Sequence, residues 1–272
     1  MMSDISSGQI DTPQLLAALT AGHAPVILDV RREKIFADAV DVLPAARRAD
    51  HMAPALGLGG DKSRPVIVYC IHGHNVSQLA TGLLRAEGYT AAQLIGGIDG
   101  WRDAGAPVVS ATTDVSRFTT GTIWVTRRRP KIDRIACPWF IRRFVDDRAK
   151  FLYVDPEFVL PVAEELGGVA YDIDGAPITH DGDRCSFDTL LDRFNVTDPV
   201  LRDLALFVRG ADTAAHNLSP AAAGLLAVSV GMSALHRDDL AMLDAMMPVY
   251  DALHASLRYA KGEPHFWPMP KA

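Results

Sequence analysis

Residues Pro65-Val66-Ile67-Val68-Tyr69-Cys70-Ile71-His72-Gly73-His74-Asn75-Val76-Ser77-Gln78-Leu79-Ala80 decide the fold of the first half of the chain. The apolar run up to Tyr69 has the length and β-branched content of a buried strand, and helical spacing begins at Val76. Cys70 therefore stands on a strand-to-helix turn. In such a turn successive backbone N–H groups converge and the helix adds its positive dipole end, so the loop favours a thiolate. An isolated cysteine is usually a small packed hydrophobe. The glycine three residues on, the polar loop and the helix behind it favour a nucleophile here. His72 and His74 either tune that thiolate, touch a substrate, or are simply solvated.

Outward from this stretch the pattern alternates. A helix is expected near 12–20, a strand over 25–30, a helix over 33–40, a helix over 76–87 and a short strand over 92–95. Gly96-Gly97-Ile98-Asp99-Gly100-Trp101 then turns into a last short helix. Such βα alternation predicts an α/β fold with a mainly parallel sheet flanked by helices. From Ser110 to Thr122 the chain is rich in Thr, Ser and Gly without apolar periodicity, which marks a linker. The expected organisation is a first domain over 1–112, a linker over 113–121 and a second domain over 122–272. The second half combines short strands near 122–126, 151–154 and 169–173 with a helix within 133–145. Helices over 186–194, 199–208, 220–235 and 238–257 follow, so a mostly helical α+β domain is expected.

The 272 residues, 49% hydrophobic, suffice for two cores. A formal charge of -6 gives no general attraction to nucleic acid, which is disfavoured as a partner. Three cysteines, Cys70, Cys137 and Cys185, make a poor disulfide framework, so a reducing cytoplasm is expected. Residues 1–5 carry no basic segment leading into an apolar stretch, and no signal peptide is expected. The apolar stretch over 220–235 contains serines and glycines, falls short of a membrane span, and is read as a buried core helix.

Leu28-Asp29-Val30-Arg31, the loop from Cys70 to Ser77, and Gly96-Gly97-Ile98-Asp99-Gly100-Trp101 together resemble a single-domain rhodanese over about residues 8–110. The resemblance implies a sulfurtransferase in which Cys70 takes sulfane sulfur from a thiosulfate-like donor as a persulfide. It then passes the sulfur to a thiol or cyanide-like acceptor. Ile71, His72, Gly73, His74, Asn75, Val76 and Ser77 would bind the substrate. Arginine is common in rhodanese loops and this loop has none; His72, His74 and Asn75 are the nearest polar substitutes. The missing guanidinium also argues against the related cysteine phosphatases.

The second half opens with Trp124-Val125-Thr126-Arg127-Arg128-Arg129, and Asp133-Arg134-Ile135-Ala136-Cys137-Pro138-Trp139-Phe140-Ile141-Arg142-Arg143-Phe144 follows. Pro138 suits either a helix starting just before it or one starting at Asp133 with an irregular first turn. A second polar set lies at Ile178-Thr179-His180-Asp181 through Cys185, and a third at Val208-Arg209-Gly210-Ala211-Asp212. These strings resemble the C-terminal domain of the ChrB family of chromate-resistance proteins over about 122–260, which implies a role in chromate resistance or chromate-responsive control.

Chromate is a tetrahedral dianion, and Arg127, Arg134 and His180 are the candidate groups to bind it, at about 1.5–3 kcal/mol per charge-assisted contact. The alternative pairs Arg134, Arg142 and Arg143 with Asp133, Asp146 and Asp147 as surface ion pairs. No cofactor is required by these motifs. His180 and Cys185 are weak candidates for a transition-metal site, since no Cys-x-x-Cys or His-Glu-x-x-His spacing is present. Cys137 and Cys185 either receive sulfur from Cys70, reduce chromate, or pack. The combined expectation is a rhodanese-type sulfurtransferase coupled to an oxyanion-binding chromate-resistance domain. Its alternative is a non-enzymatic chromate or redox sensor whose first half is a docking or thiol-reactive module.

Overall fold

The computed structural model describes residues 7–20, 24–111 and 121–263. Strand β1 (Gln9–Ile10), helix α1 (Thr12–Leu19), β2 (Val26–Asp29), α2 (Glu33–Ala37), β3 (Asp41–Val42) and β4 (Ala46–Arg48) lead to β5 (Val66–Tyr69). Helix α3 (Asn75–Ala86), β6 (Ala91–Leu94), α4 (Gly97–Asp103) and β7 (Val109–Ser110) complete the first half. The sheet order is β1-β6-β5-β2-β4, every pairing parallel, with Ile27 of β2 opposite Ile67 of β5. Because helices cover both faces, β2 and β5 are buried at every residue and read as continuous apolar runs.

The period of two along β5 sorts its side chains between two cores. Ile67 and Tyr69 join Leu15, Leu19 and Trp101 beneath α1 and α4, whereas Val66, Val68 and Cys70 join Ala80 and Leu84 beneath α3. Cys70 thus lies on the face that α3 covers. Helix α2 ends at Ala37, shorter than expected, and no residue of it is buried. With no buried apolar stripe, nothing in tertiary packing prolongs it. The two- and three-residue strands β1, β3, β4 and β7 are too short to leave a periodic signal in the sequence.

The second half is built on β8 (Ile123–Arg127), flanked in parallel by β9 (Lys150–Val154) and β10 (Val169–Ala170). Helix α6 (Val159–Leu166) covers Val125 and Ala170 on one face. The larger core joins α5 (Asp133–Phe140), α7 (Ser186–Arg193), α8 (Pro199–Asp212) and α10 (Asp239–Tyr259) around Trp139, Phe140, Phe187, Leu204 and Tyr250. Overall the chain is α/β: a parallel sheet flanked by helices, then a mostly helical region. Helix α5 starts at Asp133 with an irregular first turn: the N–H groups of Arg134 and Ile135 donate three residues back, to Lys131 and Ile132. Pro138 is inside the helix, and a π-helical turn, Ile141–Val145, follows.

One expectation needs correction. Helix α9 (Ala222–Leu235) buries Ala222, Leu225, Ser229 and Ser233, while Val228, Val230 and Leu235 face outward. It is a surface helix with an apolar outer face, because apart from Leu225 its buried positions carry small or hydroxylated side chains. No helix among the described residues is long and apolar enough to cross a membrane. The expected linker falls almost wholly on residues 112–120, outside the described residues. Ser110, read as its start, belongs to β7, which pairs antiparallel with β3.

Contacts join the two halves directly. The Ala45 N–H donates to the Phe144 carbonyl at 2.8 Å, the Ser110 N–H donates to Phe194, and Val109 enters the core of the second half. Asp147 accepts both Nη2 bonds of Arg47, at 2.7 Å, and one from Arg64 at 2.5 Å. Arg64 also donates to the carbonyls of Ala24 and Pro25, the residues leading into β2. Asp147 is held below the usual carboxylate range: burial pushes it up, and Arg47 and Arg64 together outweigh that. The Asp147 anchor therefore lies where β2 and β5 begin, the end of the sheet opposite Cys70.

Asp147→Ala leaves the Arg47 guanidinium, 6% exposed, without its carboxylate. The expected cost is about 3–5 kcal/mol, read as a lower urea midpoint. His254 is buried between Trp139 and Phe144 with neither ring nitrogen hydrogen-bonded. Burial, then Arg258, lowers its pKa to about 4. The unfolded chain takes up this proton near pH 6.5 and the folded chain only near 4, so His254 costs nothing at neutral pH. It removes stability as pH falls from about 6.5 to about 4, by roughly 3 kcal/mol in all. Comparing urea unfolding of the parent and His254→Leu between pH 7 and 4 checks this: the variant loses that part of the acid sensitivity.

Candidate functional site

Cys70 follows β5 directly, and the loop beyond it folds back over the strand end before α3 begins at Asn75. Two glycines make that path possible. Gly73 has φ +72°, and a β-carbon there would lie 2.6 Å from the Leu94 carbonyl oxygen. Gly97 has φ +58°, and a β-carbon would meet the carbonyl oxygen of Ile71 and that of Cys70, the latter at 2.5 Å. The space is filled instead by hydrogen bonds: the N–H groups of Ile98 and Asp99 donate to the carbonyls of Cys70 and Ile71 at 3.0 and 3.1 Å. The Gly96-Gly97 turn is thus the floor of the reactive loop.

The Cys70 sulfur lies 3.2 Å from Ser77 Oγ, and its S–H faces the His74 carbonyl at 3.7 Å. Burial pushes the thiol pKa up. Hydrogen bonds from the Ser77 hydroxyl and from the backbone N–H groups of Ser77, His74 and Gly73 outweigh burial, so the pKa is lowered from its ordinary value. Ser77 Oγ also lies 3.0 Å from the His74 carbonyl. Its single proton bonds that carbonyl while Cys70 is a thiol and turns to the sulfur once Cys70 is a thiolate.

The cysteine is 7% exposed, yet it lines an open cavity of about 220 Å³ with Ile71, His72, His74, Asn75 and Val76. His72 is turned outward, 66% exposed, with Nδ1 3.0 Å from the Asp99 carboxylate. Arg31, Arg32 and Ile35 complete the lining. These two arginines, which the loop itself lacks, come from the end of the neighbouring strand β2. Arg31 is committed: it holds Asp29 at 2.5 Å, and Asp29 also accepts a bond from the Tyr69 hydroxyl at 2.7 Å. Arg32 forms no ion pair among the described residues and is exposed at the mouth. Reading the motif strand by strand misses this pairing; the rule that parallel sheets bind ligands at the carboxyl ends of adjacent strands could have found it.

The structure also brings Arg127, Arg134 and His180 together, but around carboxylates. Arg127 Nη2 and Arg134 Nε lie 2.7 and 3.0 Å from the same oxygen of Asp172, and Ser186 donates to the other oxygen at 2.8 Å. His180 Nε2 lies 3.2 Å from Asp212, 3.3 Å from Asp133 and 3.5 Å from Asp172. Arg127, Arg134 and His180, the expected oxyanion ligands, thus stand in one group, and each already faces a carboxylate. Asp133 raises the His180 pKa to about 9 despite partial burial. Burial, then Asp133, pushes Asp212 up to about 8. Asp133, Asp172 and Asp212 carry no recognisable spacing in the sequence; only the fold assembles them.

The surface-pair alternative is corrected: none of the three arginines pairs with Asp133, Asp146 or Asp147. Arg142 meets Asp244, Arg143 meets Asp251, and Asp146 accepts from the Thr122 N–H and hydroxyl. Cys137 and Cys185 are fully buried, and burial raises both thiols above their ordinary pKa. Neither is a thiolate, and both are sealed in the core of the second half. A sulfur relay within one chain is therefore unsupported. Cys185 Sγ faces Asp188 Oδ2 at 3.4 Å and does not join the His180 group.

A strand-loop-helix cradle around a cysteine at the carboxyl end of a parallel sheet defines the rhodanese class of domain, and the comparisons agree. The model of the rhodanese-like domain matches residues 12–104, and that of the ChrB C-terminal domain matches residues 124–257. Protein ChrB of Cupriavidus metallidurans is 37% identical over 135 residues, 49% of this chain and 40% of its own length. The chain thus spans less than half of that curated relative. Among solved structures, a full-length protein from Lactobacillus plantarum is 27% identical over 39% of this chain and 89% of its own, with a TM-score of 0.36. A rhodanese-like domain protein from Staphylococcus aureus is 24% identical over 34% of this chain and 89% of its own, with a TM-score of 0.31. The chain joins a rhodanese-like domain to a ChrB C-terminal domain.

Ser77→Ala removes the hydroxyl that bonds the Cys70 thiolate. The midpoint of Cys70 alkylation by iodoacetamide is expected to move to higher pH, and the rate at neutral pH to fall severalfold. Peptide mass mapping checks that labelling stays on Cys70 while Cys137 and Cys185 remain unlabelled in the folded chain.

Proposed function

We propose that the chain is a sulfurtransferase whose nucleophile is Cys70. The single observation that carries this reading is the sulfur's position, bonded by Ser77 and loop amides yet lining an open cavity with Arg32 at its mouth. The Cys70 thiolate attacks the outer, sulfane sulfur of a thiosulfate-like donor. The donor S–S bond breaks, sulfite leaves with the electron pair, and Cys70 holds a persulfide whose terminal sulfur is an anion. The amides of Gly73, His74 and Ser77 favour negative charge in the cradle, and Arg32 steers the donor dianion. An acceptor thiolate or cyanide-like nucleophile then attacks the outer sulfur, breaks the Cys70 S–S bond and restores the thiolate.

Within this reading the second half links sulfur chemistry to chromate resistance without sharing the reacting atoms. Three free cysteines support a reducing compartment, the cytoplasm. The anchoring of the second half at the far end of the sheet favours a second reading, in which the first half is a thiol-reactive module of a chromate sensor and turns nothing over.

Thiosulfate treatment should add the mass of one sulfur atom to the peptide bearing Cys70, and nothing in Cys70→Ser. Arg32→Ala should raise KM for thiosulfate about tenfold, the loss of one charge-assisted contact, with a smaller effect on kcat. No sulfur on Cys70 with any sulfane donor would leave the sensor reading.

A further inference from the structure

We infer that Asp133, His180 and Asp212 form a site for one divalent first-row metal ion in the second half, independent of the chemistry at Cys70. Three separate elements supply the donors: the first turn of α5, the loop after β10, and the last residue of α8. The carboxylate oxygens and the imidazole nitrogen all lie within 4.8 Å of one another.

Two independent features distinguish this group from an acidic patch. The first is a mismatch in hydrogen bonding. His180 Nε2 is within 3.2–3.5 Å of carboxylate oxygens from Asp212, Asp133 and Asp172, but a ring nitrogen carries one N–H and satisfies one acceptor well. Asp133 is buried and has no arginine of its own: Arg127 and Arg134 are held by Asp172, and Arg209 by Asp188. Asp133 and Asp212 thus share one imidazole and have no guanidinium between them.

The second feature is spacing. Ligand atoms about 2.1 Å from a metal, at tetrahedral or octahedral angles, are about 3.0–3.4 Å apart. His180 Nε2 is 3.3 Å from Asp133 Oδ2 and 3.2 Å from Asp212 Oδ2. A neutral imidazole offering its Nε2 lone pair would meet the ion that both carboxylates need. Asp172, fixed by Arg127, Arg134 and Ser186, borders the site and orients it as an outer-shell carboxylate.

One nitrogen and two oxygens suit Mn²⁺, Fe²⁺, Co²⁺ or Zn²⁺ better than the all-oxygen preference of Mg²⁺ or Ca²⁺. His180 is 42% exposed, so an ion has a path in, and water or an oxyanion would complete its coordination. Arg127 and Arg134 are each held by Asp172, and a bound metal would add positive charge beside them.

The test uses the full chain, stripped with a chelator and titrated separately with Mn²⁺, Co²⁺ and Zn²⁺ by calorimetry, with bound metal counted after gel filtration. One equivalent of at least one ion is expected, with a higher melting temperature. Asp212→Asn, nearly isosteric and relieving a carboxylate-carboxylate contact, should keep the metal-free fold and weaken uptake at least about tenfold. His180→Ala should do the same, and Cys70→Ser and Cys185→Ser should bind as the parent does. The inference is overturned if no ion binds saturably, if Asp212→Asn binds as tightly as the parent, or if uptake depends on Cys185. None of these results bears on persulfide formation at Cys70.

Discussion

The rhodanese-like half depends on a backbone contact that no side chain could survive: Gly97 pressed against the carbonyl groups of Cys70 and Ile71. With those carbonyls tied to the N–H groups of Ile98 and Asp99, the loop cannot relax away from the strand end. Its own N–H groups at Gly73, His74 and Ser77 are then left to face the sulfur. A buried thiol would otherwise be pushed toward the neutral form. Here donors aimed at one atom in a partly desolvated pocket reverse the direction, because a hydrogen bond to a charged group strengthens as water is removed.

The second half obeys a different electrostatic logic. Arg127 and Arg134 looked like anion ligands because guanidinium groups near a strand end and a helix start are common anion sites. In the fold both belong to Asp172, and His180 to Asp133, Asp172 and Asp212. The two candidate sites also differ in how they connect. The first half is held to the second through Arg47, Arg64 and Asp147, at the end of the sheet where β2 and β5 begin, while Cys70 opens at the other end. Any coupling between them is conformational, since reacting atoms exchange sulfur only in contact.

Much of this was legible in the chain. The run Val66–Tyr69 declared a buried parallel strand, the break at Cys70 declared the loop, and the long helices of the second half showed their spacing. The irregular first turn of α5 was one of two readings that Pro138 allowed. What could not be read were the two- and three-residue strands β1, β3, β4 and β7, whose period is too short to detect, and the outward apolar face of α9. Hydrophobicity along a helix states how much apolar surface exists, and only packing decides which part is covered.

The sequence by itself determined the seat of the nucleophile: strand, cysteine, glycine-containing loop and helix are consecutive, and local backbone geometry follows from consecutive residues. Tertiary structure alone decided what stands around it and what happens to the charges elsewhere. Arg32 reaches the Cys70 cavity from a neighbouring strand, and Asp133, Asp172, His180 and Asp212 meet across as many as 79 positions of chain, counted from 133 to 212. The reason is that Coulomb energy depends on distance in space, whereas spacing along the chain constrains only neighbours.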